Sequence, residues 1–449
     1  MVILDPKGEI LRDTGKMLIE KGYSLRILDL ISMERSHCFN PFVYLRDDND
    51  VQRLATNLFK STTPKGAQSS DPFWDTSAQM LLLALMFYLK YEAPPDEQNF
   101  AMVMEMLRAG EVDEEDNAPS ALDSLFSDLR QTDPGHIALK YYDAYHSGAA
   151  KTLMSIQITL AARLEKFNLE SVEKLTITDE LELNTIGEKK TALFAIIPDN
   201  DTSFNFLVSI LYTQLFQQLF ELADKKYGGS LPLHVQFLLD EFPNIAMPDD
   251  FQKILSTMRS RGVSVSIILQ NLTQLKALYE KDWESVVGNC DEFVYLGGNE
   301  QATHKYVSEL MGKATIDTNT YGRSFGRNGN YSKNDQSAGR ELMLPEEVRM
   351  LDNRYALLFI RGERPVKDLK YEILRHPNVA LTADGLADPY VHGDMSEAVN
   401  TIALTFDMVS SEEMTDIPKT GYELLSEEDV EKEIASKERE EKNINGEQK

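Results

Sequence analysis

Short apolar runs recur along the chain at Val2 to Leu4, Leu25 to Leu28, Thr191 to Ile197, Val235 to Leu239, Val263 to Leu269, Phe293 to Leu296 and Ala356 to Ile360. Read as apolar throughout, with helical segments between most of them, they predict an α/β fold whose parallel sheet is covered on both faces. Between Phe73 and about Ser171 the pattern changes. Stretches such as "WDTSAQMLLLALMFYLKYE" and "AAKTLMSIQITLAARLEKF" space Leu, Ile, Met and Phe at helical intervals, which predicts an all-helical insertion. The Gly-, Asn- and Ser-rich stretch from Thr315 to Gly339 reads as a long mobile loop. After about Asp407 the charged stretch "SEEDVEKEIASKEREEKN" has few apolar anchors and reads as a disordered or weakly helical tail. The resulting division is 1–72 and 181–406 for the two parts of the α/β core, 73–180 for the insertion and 407–449 for the tail.

Composition narrows the function classes. With 449 residues, 42% of them hydrophobic, the chain can bury a large core. Cys38 and Cys290 are the only cysteines, which excludes a disulfide scaffold or thiolate metal cluster and suits a reducing cytoplasm. The histidines form no metal-ligand spacing. The longest apolar run, Met80 to Leu89, is about half of what a bilayer crossing needs, and no signal peptide precedes it, so the sequence reads as soluble. A formal charge of −27 argues against a surface that coats DNA generally, though a local patch or channel could still handle nucleic acid. Part of that excess is terminal, since Ser411 to Lys449 carries 13 acids against 6 bases.

Candidate chemistry concentrates after the strands. The run "VQFLL" is followed directly by Asp240 and Glu241. Burying carboxylates costs free energy unless a cation or donors compensate them, and α/β proteins bind ligands at the carboxyl ends of their strands. One reading is a Walker B pair, in which Asp240 holds Mg²⁺ and Glu241 polarises an attacking water. The other is a strand end whose Asp240 caps a turn before Pro243. One strand later Gln270 stands at another tip, either as a sensor of the γ-phosphate and attacking water or as a residue starting a helix. Arg259 and Arg261 close the intervening helix, either offsetting its dipole or serving as fingers toward a neighbouring subunit's phosphate. At the chain's start "VILDPKGEI" sets Asp5, Lys7 and Glu9 after a strand, as the periphery of the same ligand or as a bare turn. In the Thr315 to Gly339 stretch and just beyond it, Arg323, Arg327, Lys333 and Arg340 alternate with Tyr321, Phe325 and Tyr331. That interleaving suits a sequence-independent grip on single-stranded nucleic acid, and it equally fits a solvated surface loop.

The motifs "DPKGE", "NPFVYL", "DPFWDTSAQMLLLAL", "TALFAIIPD", "FLLDEFPNI", "IILQNLTQL" and "LMLPEEVRML" stand in the order of the type IV secretion coupling proteins, and the chain resembles this VirD4/TraG family of conjugative DNA-transfer ATPases from about Val2 to Arg375. The resemblance implies a RecA-like motor domain with an inserted all-α domain, fuelled by ATP and Mg²⁺. It also implies a homo-hexamer at the cytoplasmic face of the plasma membrane that delivers relaxase-bound single-stranded DNA to secretion-channel proteins. By the same resemblance Asp240 and Glu241 are the Walker B pair and Gln270 lies on the sensor strand. One departure is marked: the phosphate loop G-x-x-x-x-G-K-[ST] occurs nowhere in the 449 residues, and "SGAAKT" at Ser147 to Thr152 lacks the second glycine. The expectation is therefore a motor domain incomplete at its N-terminus, from a truncated, split or mis-started gene, which would be cytoplasmic if alone. The missing phosphate-loop strand would lie beside the strand ending at Gln270. A non-hydrolysing remnant or adaptor that binds relaxase or channel proteins is the alternative.

Overall fold

The computed structural model describes residues 1–63, 72–110, 119–245, 247–248, 250–323 and 331–393. Its centre is a five-stranded parallel sheet built from β1 (Val2–Pro6), β2 (Ser24–Asp29), β3 (Thr191–Ile197), β4 (Val235–Leu239) and β5 (Val263–Ile267), ordered β2-β3-β1-β4-β5. β1 lies between β3 and β4, with Val2 opposite both Leu193 and Phe237. All seven residues of β3 are buried, as a strand covered on both faces must be. Helix α1 (Glu9–Glu20) covers one face, and its Leu11 and Leu18 pack on Ile3, Ile27, Ala192, Phe194 and Ile196.

The opposite face rests on a larger core shared with the helices. After α2 (Asp48–Ser61), the described residues from Pro72 to Ile177 contain helices and no strand: α3 (Pro72–Glu92), α4 (Phe100–Ala109), α5 (Ala121–Thr132), α6 (Ile137–His146), α7 (Ala150–Leu164) and α8 (Glu170–Ile177). Local signals start several of them. Asp47 accepts from the Asp50 amide, Asn99 from that of Met102, and Ser120 with Asp123 forms a reciprocal capping box. Every residue from Leu81 to Phe87 is buried, which makes α3 the axis of this helical region. The helix α9 (Asn205–Glu221) joins it to the sheet, where Phe216 stacks on Phe237 of β4 at 4.6 Å. Residues 1–392 form one compact unit, whose main hydrophobic cluster runs from the sheet into the helices.

Beyond β4 come α10 (Phe251–Met258), then β5, α11 (Leu272–Tyr279) and α12 (Trp283–Gly288), and here the structure departs from the sequence reading. The strands near Phe293 and Ala356 do not join the parallel sheet. Instead β6 (Glu292–Tyr295) pairs antiparallel with the strand at Tyr355–Ile360, in a separate three-stranded sheet packed on α13 (Gln301–Met311). Between them the expected mobile loop is an antiparallel ribbon, β7 (Lys313–Arg323) with β8 (Tyr331–Glu341). Its Thr, Tyr and Ile content satisfies strand propensity despite the Gly, Asn and Ser that suggested a loop. The helix α14 (Pro345–Arg349) leads into β9 (Tyr355–Ile360) and β10 (Val366–Leu369).

Coverage on both faces also fails at β4 and β5. β5 reads Val-Ser-Val-Ser-Ile, an alternation rather than a fully apolar run, and only Val263 is fully buried. On the face away from α9, His234 and Gln236 of the β4 side meet Ser264 and Ser266, with His234 Nε2 and Ser264 Oγ 2.7 Å apart and Gln236 Nε2 donating to Ser266 Oγ at 3.0 Å. Among the described residues, no strand pairs with the outer edge of β5. The charged tail expected after Asp407 lies outside the described residues.

Candidate functional site

The carboxyl ends of the parallel strands bring Asp240, Glu241 and Gln270 together. β4 stops at Leu239, and the chain then turns sharply: Glu241 has φ 45° and ψ 44°, a left-handed conformation that a residue with a side chain rarely adopts. Its amide donates to Asp240 Oδ1 at 3.0 Å, and the next amide, of Phe242, donates to the Ile268 carbonyl at 3.3 Å, which ties the turn to the end of β5. Both Glu241 carboxylate oxygens accept from amide side chains. Asn244 Nδ2 donates to Oε2 at 2.8 Å and Gln270 Nε2 to Oε1 at 3.4 Å. Asn244 was not singled out in the sequence, although its position three residues after Glu241 is the spacing of a one-turn side-chain contact.

The residues at the end of β1 divide. Asp5 is wholly buried, with Oδ1 accepting from the Ile10 amide at 3.1 Å and Oδ2 from Leu11 at 2.7 Å. It therefore fastens the start of α1. Burial pushes its carboxyl up to about 6 against the pull of those two amides, and Asp240 and Glu9 add repulsion. Lys7, also left-handed at φ 67°, is exposed, and its ammonium is paired with Asp199 Oδ2 at 3.0 Å beyond the end of β3. That pairing raises Lys7 above its ordinary value, with a smaller contribution from Glu241. Glu9 is exposed on the first turn of α1.

Arg259 and Arg261 stand elsewhere. They precede β5 whereas Gln270 follows it, so the strand separates them from the acid pair by roughly 17 Å, at about 3.3 Å per residue. Arg261 forms a two-pronged bond to Asp224, at 3.0 and 2.8 Å, and its guanidinium lies 4.6 Å from the Phe220 ring centre. Arg259 is 87% exposed and 3.5 Å from Asp291. In the ribbon, strand register sets Tyr321 opposite Lys333 and Arg323 opposite Tyr331, so these positions share one face near its tip. Arg340 sits at the ribbon's other end, bonded to Glu347 at 2.9 Å. Phe325 and Arg327 lie outside the described residues.

No group of three or more His, Cys, Asp or Glu side chains among the described residues is arranged to cage a metal. Asp240 with its neighbour Glu241 suits an ion that takes one carboxylate from protein and its other oxygens from phosphate and water, as Mg²⁺ does. Among the described residues, no helix is long and apolar enough to cross a membrane.

Comparison with known proteins bears on this arrangement. The chain is 23% identical to protein VirD4 of Rhizobium rhizogenes over 377 residues, and equally to protein VirD4 of Agrobacterium fabrum; 82% of the chain is matched in each case. It spans 53% of each of those proteins, about half their length. Among solved structures, the conjugative coupling protein TrwB, as a variant lacking its N-terminal segment, superposes with a TM-score of 0.56 at 19% identity, covering 83% of this chain and 77% of that one. TrwB in complex with ADP and Mg²⁺ superposes with a TM-score of 0.55 at 20% identity, covering 84% and 80%. The central sheet with its helices is thus the RecA-like motor fold. The family described as type IV secretory system conjugative DNA transfer matches residues 1–383, and the chain belongs to that family, the coupling proteins of the VirD4/TraG group.

Proposed function

We propose that this chain supplies the water-activating and DNA-contacting parts of a nucleotide-driven motor that delivers relaxase-bound single-stranded DNA to a type IV secretion channel. The observation that carries the reading is the Glu241 carboxylate, held between Asn244 and Gln270 beside Asp240 at the open strand ends. Asp240 would hold Mg²⁺, and bound ATP would present the γ-phosphate. Glu241 then accepts a proton from the attacking water, while Gln270 is placed to orient that water or the phosphate. The unpaired edge of β5 is where a phosphate-loop strand would add, since none of the 449 residues carries that loop's pattern. Tyr321, Arg323 and Lys333 on one ribbon face would stack bases and neutralise phosphates. A homo-hexamer at the cytoplasmic face of the plasma membrane, with Arg259 reaching a neighbouring subunit, completes this reading. Arg261 is the weaker finger because Asp224 already engages it.

The test is steady-state phosphate release with and without single-stranded DNA, on the 449-residue chain and on a chimera carrying a VirD4 phosphate-loop strand and helix ahead of Val2. The chain alone should show no turnover. The chimera should hydrolyse ATP, and Glu241→Gln should remove turnover while leaving nucleotide binding largely intact. Asp240→Asn should weaken Mg²⁺-dependent binding as well. A second reading, a non-hydrolysing adaptor for relaxase or channel proteins, rests on the missing phosphate-loop pattern. A chimera that binds nucleotide and never turns over would favour it.

A further inference from the structure

Glu241 is held at two points by Asn244, which stands three residues after it in the same turn. The Asn244 amide donates to the Glu241 carbonyl at 3.0 Å, and the Asn244 side chain reaches back to the Glu241 carboxylate at 2.8 Å. The Asn244 carbonyl accepts in turn from Asn205 Nδ2 at 2.8 Å. Asn205 is buried at the start of α9, so the chain of contacts is anchored in the core rather than in solvent. Pro243 follows Phe242 inside the same turn and restricts it further. The left-handed backbone at Glu241 is thus maintained from outside the residue itself, as strain at a working position requires.

We infer that Asn244, braced by Asn205, is a positioning residue that fixes the Glu241 carboxylate, leaving Gln270 as the only other side-chain amide on it among the described residues. Its contribution to hydrolysis rests on the function proposed above; the positioning itself does not. The groups around the carboxylate are Asp240, adjacent in the chain; Gln270; and Lys7, whose ammonium feels the Glu241 charge. Removing the Asn244 amide should loosen the carboxylate. Substituting a second carboxylate there should repel it directly.

The experiment compares thermal unfolding midpoints of the 449-residue chain with Asn244→Ala, Asn244→Asp, Glu241→Ala and both double variants, at neutral pH. Asn244→Asp should lower the midpoint more than Asn244→Ala at neutral pH. In the Glu241→Ala background that excess should be absent. An excess that survives Glu241→Ala, or equal midpoints for Asp and Ala at neutral pH, would overturn the assignment. In the hydrolysing chimera, Asn244→Ala should lower kcat by about 10- to 100-fold with KM little changed, as expected for a misplaced general base. A rise in KM at unchanged kcat would instead make Asn244 a binding residue. A chimera without turnover would count against the proposed function, while the unfolding series would still decide whether Asn244 positions Glu241.

Discussion

β3 and β5 belong to one parallel sheet, yet they are built for opposite surroundings. Every residue of β3 is buried between α1 and the helical core, and its sequence Thr-Ala-Leu-Phe-Ala-Ile-Ile offers both faces to apolar neighbours. β5 alternates valine or isoleucine with serine, so one face packs toward α10 and the other forms a polar ladder with His234 and Gln236. The difference separates the part of the sheet that is covered on both faces from the part that carries the candidate site. Glu241 and Gln270 sit on the open side, where a further strand and a ligand can still approach.

The sharpest way to break this contrast is to cut into its buried half. Phe194→Ala, in the middle of β3 and wholly buried, should cost about 3–5 kcal/mol of unfolding free energy, measured by denaturant titration. A cost near 1 kcal/mol would mean that the centre of the sheet is loosely packed. Asp5 at the end of β1 gives a titratable version of the same test. Its folded carboxyl is pushed up to about 6, above the ordinary value near 4 in an unfolded chain, so its ionised form burdens the folded state at neutral pH. As pH falls from about 6 to 4 the folded protein takes up the proton first. The wild type should then gain roughly 3 kcal/mol relative to Asp5→Asn over that window, read as the difference between their unfolding curves.

Smaller effects are expected at the open end. Arg261→Ala removes an ion pair with half-exposed Asp224 and a stacking contact with Phe220, for about 1 kcal/mol after screening by solvent. It should leave nucleotide affinity of the chimera unchanged unless the side chain serves a neighbouring subunit. Ser266→Ala, on the exposed ladder of β5, should stay within ~0.5 kcal/mol. A larger loss there would mean that the ladder is a covered interface in solution.

The strand positions were legible because short apolar, β-branched runs carry their own signal, and all seven runs became strands. Which sheet each run joins was not, since pairing of β6 with β9 is decided by packing on α13 rather than by either sequence alone. The ribbon at Lys313–Glu341 was hidden by its composition: Gly, Asn and Ser suggested a loop while alternate Thr and Tyr positions supported strands. At the site, the Asp240–Glu241 pair and Gln270 were readable from their placement after strands. The left-handed turn at Glu241 was not, because Asn244 and Asn205 enforce it through contacts that include one across 39 residues. That Asp5 fastens α1 was not readable either, because a sequence does not reveal that two amides of that helix take both its oxygens.

Val2 pairs with Leu193, so the two middle strands of the sheet are separated by the whole helical region. During synthesis at ~5–20 residues per second, β1 emerges roughly 10–40 s before its partner. The helices between them close mostly neighbouring segments of chain and can form in that interval, whereas β1 still lacks its partners β3 and β4. Its edge therefore stays without its β3 partner until Thr191 to Ile197 leave the ribosome. For a protein of this topology, the vulnerable moment in its production is the wait for Thr191 to Ile197, and a chaperone that shields β1 would act during that wait.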